Sequence, residues 1–385
     1  MRFITIALLV LSCPASLPSG TASFMTSRTS IGHRNSAEIS RQAQTAQPVQ
    51  GGFLGFSSVG RRNLWAIGTE GEFLGNHASV ILHSTDGGQS WTRKVALAGD
   101  HFFDISFSSD QVGWVAGASG TLLKSSDGGQ TWERQKVPTG SNLNKIQFID
   151  PQHGWISGFD GELLRTEDAG NSWRSYKLQG PGWVGDQFKG FLKTFDFSDR
   201  LHGWIVGELG QVYRSTDGGV SWRSQGAALA KLIRDLGAMR VDFFDVKVFT
   251  PRHGFIVAQA SKENRNDSSK QIVVFQTKTG GESWTVLKSF KEPGLVRAQF
   301  IGPSEFWIES RYGRSLHHTR NAGKTWTTVA NSLDVNAPLL YFIDSSEGWM
   351  VSALDGFSGL NLYTADGGKT WVERRVHYTV EQAKR

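Results

Sequence analysis

S-S-D-G-G-Q-T-W, residues 125–132, is one of seven copies of an octapeptide, and its reading decides the fold. The others end at Trp91, Trp173, Trp222, Trp284, Trp326 and Trp371. Every copy has Ser or Thr first, Gly fifth, Ser or Thr seventh and Trp eighth. Asp86, Asp127, Asp168, Asp217 and Asp366 fill the third position in five copies, and Thr279 and Asn321 in the other two. A short Asp side chain accepts hydrogen bonds from nearby backbone N–H groups, and glycine tolerates the positive φ of a tight turn. The Trp then anchors the strand that follows. The motif therefore reads as a structural staple: a catalytic or metal-binding Asp is not expected in seven loosely equivalent copies.

A second motif precedes each copy: L-W-A-I-G at Trp65, then variants of G-W-h-h-G (h apolar) at Trp114, Trp155, Trp204, Phe255, Trp307 and Trp349. The two motifs use 13 of the 14 tryptophans, leaving Trp183 outside the repeat. Short alternating stretches such as D-I-S-F ending at Phe107 and K-I-Q-F at Phe148 come earlier still. Each unit thus predicts four antiparallel strands, with β-branched and aromatic residues in the strands and Gly in the turns. Phe53 to Val380 divides into seven such units of roughly 47 residues, a period typical of propeller blades. The expected fold is all-β, a seven-bladed β-propeller of four-stranded antiparallel blades with Asp-box turns, over residues 51–385. Because the chain starts and stops in the same phase, closure is expected to rest on packing between blades rather than on a strand shared by the termini.

With 20% charged and 38% apolar residues, the chain can fill a core and is not disordered by composition. One cysteine, Cys13, excludes a disulfide framework and a cysteine-ligated metal site. A net charge of +6 gives no case for wholesale nucleic-acid binding. Met1 and Arg2 precede an apolar run from Phe3 to Leu11, followed by prolines and small residues, which reads as a secretion signal over 1–22. The competing reading is lipoprotein processing at Cys13. Residues 23–50 read as a flexible linker.

The octapeptide is the Asp-box pattern, and together with G-W-h-h-G it resembles the photosystem II stability/assembly factor family over Phe53 to about Val380. That resemblance implies a seven-bladed propeller on the lumenal side of thylakoids, acting without catalysis or cofactor. It further implies a protein partner, possibly a membrane-protein subunit or its exposed segment, bound through surface arginines whose positions the sequence alone does not give. A monomer is expected. The alternative is an Asp-box carbohydrate-active protein: a sialidase-like or other glycoside hydrolase, or a lectin. A sialidase needs an arginine triad, a Tyr/Glu nucleophile pair and an Asp acid, and the F-R-I-P-type segment of that family finds no match here. Arg311, Tyr312 and Arg314 sit where a strand-end role is expected. His153, His202 and His253 precede the second motif in three different blades, so they are read as turn residues rather than as one metal site.

The strand phase puts the long insertions on the face opposite the Asp boxes: 69–79, the stretch after Trp173 to Lys193, 226–240, 261–270 and 352–361. Leu229, Leu232, Ile233 and Leu236 have helical spacing, with Gly237 as a stop, and predict a short helix packed on the propeller. Residues 174–193, 226–240 and 261–270 together carry as much net charge as the whole chain. Lys189, Lys193, Lys231, Arg234, Arg240, Lys262 and Arg265 are therefore the candidate partner-binding residues. Basic residues after the repeat Trp, among them Arg93, Lys94, Arg134, Arg174, Arg223 and Arg374, are expected to protect outer strands from edge pairing.

Overall fold

The computed structural model describes residues 46–48, 53–70, 78–158, 161–177, 183–184, 187–188, 192–262, 270–292, 296–310, 315–330, 338–352, 361–374 and 377–380. The expected leader with Cys13, and most of the expected linker, lie outside them. The described chain forms seven four-stranded antiparallel blades, each meandering from an inner first strand to an outer fourth. Blade 1 runs from Phe53 to Ala98, blade 2 from Phe102 to Arg134, blade 3 from Leu143 to Lys177 and blade 4 from Leu192 to Ser224. Blades 5, 6 and 7 span Arg240 to Phe290, Val296 to Ala330 and Pro338 to Glu373. The expected helix is present at Gly226–Asp235, with Leu229 fully buried and Leu232, Ile233 and Leu236 against the blade 5 core. Gly237 follows it at φ +67°.

The tryptophans of the second motif explain why the blades pack radially. Trp114 of blade 2 lies flat on Phe148 of blade 3, ring centroids 3.5 Å apart at 7°. Trp65 on Phe107 and Trp155 on Phe197 repeat this at 3.6 and 3.8 Å, and Trp307 on Phe342 at 5.0 Å. The Gly that opens the motif makes room for the Phe of its own blade. A Cβ on Gly113, Gly154, Gly203 or Gly348 would come within 2.6 Å of that ring. Blade 1 inverts the pair: Ser58 stands where blades 2, 3, 4 and 7 have Phe opposite Gly, and its cross-strand partner is Leu64.

Inner strands are joined by a second, polar device. At every seam a first-strand side chain of one blade bonds the first strand of the next. Ser57 accepts from Phe107 N–H, Asp104 from Ile146 N–H and Gln147 from Phe197 N–H. Asp196 accepts from Val248 N–H, Asp245 from Ala298 N–H and Gln299 from Phe342 N–H. Tyr341 O–H completes the circle by donating to Ser58 Oγ at 2.8 Å. Each bond contributes about 0.5–1.5 kcal/mol, and leaving one partner bare inside the seam costs more.

Closure differs from the expectation. Blade-to-blade packing does join blades 7 and 1, where Gly88 lies under the Trp349 ring. The termini nevertheless add strands of their own. His377–Val380 leaves blade 7, runs parallel to Trp91–Arg93 at the outer edge of blade 1, and is covered in turn by Ala46–Pro48. Residues 46–48, read above as linker, are thus the outermost strand of a six-stranded sheet. Radial packing fixes the ring, and backbone pairing at its outer edge ties the two ends of the chain to one blade.

Candidate functional site

All seven Asp boxes lie on one face. The N–H of the fourth residue of each box donates to the turn between strands one and two of the same blade, as Gly128 does to Gln111 and Gly367 to Ser346. Within the box, Asp127 Oδ1 accepts from Ser125 Oγ and Thr131 N–H, and Oδ2 accepts from Thr131 Oγ1 at 2.6 Å. Asp86, Asp168, Asp217 and Asp366 repeat the pattern. Asn321 accepts from Thr325 N–H and donates to its hydroxyl, and Thr279 accepts from Ser283 N–H, so both replacements keep the staple. Desolvation at Asp127 is outweighed by the Thr131 and Ser125 bonds, which hold its carboxyl below the ordinary range. The Thr370 hydroxyl and N–H pull exposed Asp366 down to about 2. These carboxylates are occupied by their own turns.

The expected turn histidines behave the same way. His153 Nδ1 bonds Asp150 at 2.9 Å, His202 Nδ1 bonds Asp199 at 3.0 Å, and His253 Nε2 meets Gln276 at 3.0 Å. Among the described residues no group of three His, Cys, Asp or Glu side chains is placed to hold a metal. Arg311, Tyr312 and Arg314 lie outside the described residues.

The candidate basic residues divide. Lys189 and Arg265 lie outside the described residues. Lys193 pairs with Glu208 at 2.8 Å, and Arg240 grips Asp242 through Nε at 2.8 Å and a terminal nitrogen at 3.0 Å. Lys231 reaches Asp235 one helical turn on, at 2.6 Å. Arg234 and Lys262 are exposed. On this loop-bearing face much of the positive charge is balanced where it stands.

Less balanced charge lies at the Asp-box end of blades 3 and 4. The residue before the box and the residue after its Trp are cross-strand partners. In these two blades both are arginine: Arg165 opposite Arg174, and Arg214 opposite Arg223. Elsewhere the pairs are His83 with Thr92, Lys124 with Glu133, Gln276 with Thr285, His318 with Thr327 and Tyr363 with Val372. Like charges directly opposite one another destabilise a sheet, so two arginine pairs in adjacent blades break a local rule. Arg165 is largely buried, bonds Glu167 at 2.6 Å, and keeps a buried Nε–H without an acceptor among the described residues. Arg174 and Arg223 are exposed, with no hydrogen-bond acceptor among the described residues.

Both pairs border grooves. The one in blade 3, about 230 Å³, is lined by Arg165, Glu167, Asp168, Ser172, Arg174 and Tyr176. The one between blades 4 and 5, about 490 Å³, is lined by Arg214, Arg223, Ser221, Ser224, Gln225 and Glu282 among others. Sequence reading had Arg174 and Arg223 as edge protection and passed over Arg165 and Arg214. The usable signal was an Arg before the box recurring with an Arg after its Trp.

The fold has known counterparts. The family model of the photosynthesis system II assembly factor YCF48 matches residues 94–182 and 132–225, which cover blades 2 to 4 and hence both arginine pairs. A structure described as YCF48 bound to D1 peptide is 16% identical with a TM-score of 0.60, over 83% of this chain and 96% of that one. YCF48 from Cyanidioschyzon merolae is 22% identical with a TM-score of 0.52, over 71% and 85%. The GH74 xyloglucanase from Xanthomonas campestris shares the fold at 14% identity and a TM-score of 0.59, over 87% of this chain and 55% of that one. No curated protein matches the sequence. The chain is a seven-bladed propeller whose residues 94–225 match the family model of the photosystem II assembly factor YCF48.

Proposed function

We propose that this chain is an exported, non-enzymatic scaffold that holds a segment of a membrane-protein subunit during assembly, as the photosystem II assembly factors do. The observation that carries this is the pair of arginine pairs. Within the blades of the family match, four guanidiniums face grooves and Glu167 is the carboxylate bonded to one of them. Guanidinium presents a planar fork to carboxylates, so the fitting ligand is an extended segment bearing acidic side chains or a free C-terminus. The YCF48 structure with a D1 peptide supports a peptide ligand for this repeat. The lumenal or periplasmic location rests on the leader and on the family. No helix among the described residues is long and apolar enough to cross a membrane.

Charge reversal tests the reading. Arg214→Glu with Arg223→Glu should weaken capture of an acidic peptide at least tenfold, and wild-type binding should fall as salt rises. Reversal of Lys231, Arg234 and Arg240 on the opposite face measures the rival docking surface. Equal loss from both sets points to net charge alone and overturns the site. Hydrolysis of sialosides or β-glucans, abolished by one carboxylate substitution, would establish the carbohydrate-active alternative instead.

A further inference from the structure

Two positions of the blade repeat flank each Asp box, and both are polar in six blades of seven. One is the turn residue whose carbonyl accepts the N–H of the fourth box residue: Arg62, Gln111, Gln152, Arg252, Ser304 and Ser346 in blades 1, 2, 3, 5, 6 and 7. The other is the sixth box residue: Gln89, Gln130, Asn171, Glu282, Lys324 and Lys369 in the same blades. In blade 4 both are apolar, Leu201 and Val220. Each leaves half of its surface in water, at 50% and 49%. Six blades build the same turn and the same box without an apolar residue at either place, so the fold does not require this pair.

Their place in the ring is equally particular, because the blade 4 box is the wall between the two arginine-lined grooves. A Cβ on its Gly218 would meet the guanidinium of Arg165, which lines the blade 3 groove, at 2.8 Å. Thr216, Ser221 and Trp222 of the same box line the groove between blades 4 and 5. The wall is pinned from both sides. Gly218 N–H donates to Leu201 O at 2.9 Å, and Trp155 Nε1–H of blade 3 donates to Gly218 O at 2.8 Å. Leu201 and Val220 thus ride on a fixed backbone, with Arg165 on one side of it and Arg214 and Arg223 on the other.

We propose that Leu201 and Val220 form an apolar ledge that seats a hydrophobic side chain of the docked segment between its acidic contacts. The inference rests on the reading that an acidic segment crosses both grooves, and it adds what that segment carries at its middle. A chain running from Arg165 to Arg214 and Arg223 passes over the ledge. A polar side chain there leaves both apolar residues wet, whereas an aliphatic one withdraws them from water, each buried CH2 group being worth about fourfold in affinity. The arginines set the salt dependence, and the ledge, uncharged, sets a discrimination that salt does not screen. The recognised pattern is acidic, apolar, acidic.

A peptide scan against the full chain tests this. The parent is a Ser-rich peptide with a pair of Glu residues at each end, and a single Leu replaces Ser at one interior position after another, so length and charge stay fixed. Leu at one central position should raise affinity about tenfold over the all-Ser parent, and that ratio should hold while added salt weakens both. Leu201→Gln with Val220→Gln gives blade 4 the glutamines that blade 2 carries at both positions, Gln111 and Gln130, a pair the repeat already accommodates. This variant should bind the parent as wild type does and every Leu peptide no better. A flat scan on wild type overturns the proposal, and so does a Leu preference that the variant keeps; in both cases binding of the parent leaves the docking reading standing. Failure of every peptide to bind overturns both. Self-association of the wild-type chain that the variant loses would assign the ledge to a second copy and overturn the proposal as well.

Discussion

Gly154→Ala probes the seam at its tightest point. The new Cβ would stand 2.6 Å from the Phe148 ring, where ordinary contact needs at least 3.4 Å. Phe148 cannot recede, because Trp114 of the preceding blade is stacked on it at 3.5 Å and Trp173 meets it edge-on at 5.9 Å. Overpacking a fixed ring costs about 1–3 kcal/mol, offset by up to about 1 kcal/mol because alanine loses less backbone freedom than glycine. Phe148→Leu alone should also cost about 1–3 kcal/mol, through the lost stacking and a partly filled cavity. In the double variant the alanine methyl occupies space that the ring has vacated. The combined loss should therefore fall short of the sum by at least about 1 kcal/mol, well outside the few tenths expected of independent sites. Blade 1 already carries such a compensated pair in Ser58 and Leu64. Guanidinium unfolding followed by tryptophan fluorescence, with midpoints compared at a common slope, gives the four values. Additivity within about 0.5 kcal/mol would refute the claim that the motif glycine exists to seat the aromatic ring.

Asp127→Ala should cost about 0.5–2 kcal/mol by analogy with lost side-chain caps, while acidic-peptide affinity stays unchanged. Because the folded-state pKa of Asp127 is lowered, its contribution is complete above the unfolded value near 4 and disappears as pH falls through the folded one; wild type and variant should converge in acid melts. Ala322 sits in the fourth box position at φ +57°, where the other copies, save Ala169, have glycine. Ala322→Gly should stabilise by up to about 1 kcal/mol, relief of left-handed strain exceeding the added unfolded-state entropy, and a lower melting midpoint would contradict this. Truncation after Arg374 removes the strand between Trp91–Arg93 and Ala46–Pro48, so amides along Trp91–Arg93 should lose hydrogen-exchange protection first; uniform loss across the blades would argue against a local tie.

What was legible in the sequence was whatever repeats. The octapeptide and the second motif recur seven times, so a single physical reading of Asp, Gly and Trp could be tested against six further copies. The helix was legible because Leu229, Leu232, Ile233 and Leu236 leave one face apolar. The polar ring of Ser57, Asp104, Gln147, Asp196, Asp245 and Gln299 was not. Alternation in D-I-S-F or L-K-T-F-D-F assigns its polar residues to solvent, whereas each of these binds a neighbouring blade whose position only the closed ring supplies. The terminal clasp was hidden for another reason. Two strands of three and four residues, recruited from opposite ends of the chain, leave no periodic trace. The arginine pairs were visible as residues but not as pairs, since cross-strand register depends on the length of the Asp-box turn between them.

Those seams also decide what the arginines can do. A Cβ on Gly218 would meet the Arg165 guanidinium at 2.8 Å, and one on Gly280 would meet that of Arg214 at 3.0 Å, so each is wedged against the next blade's Asp box. Arg214 further donates toward Pro251 O at 3.4 Å. Arg174 and Arg223, on the outer strands, have no such wedge. Each pair thus joins one guanidinium fixed by the fold to one exposed partner, and the spacing between the fixed members is set by the rotation of blade 4 relative to blade 3. A ligand crossing both grooves meets two charges already in place and immobilises only the outer two. That lowers the entropic cost of binding an extended acidic segment. The Asp-box carboxylates at this end are held by their own turns. The arrangement is that of a rigid cationic template, and the staple that stiffens each blade also sets where its arginine points.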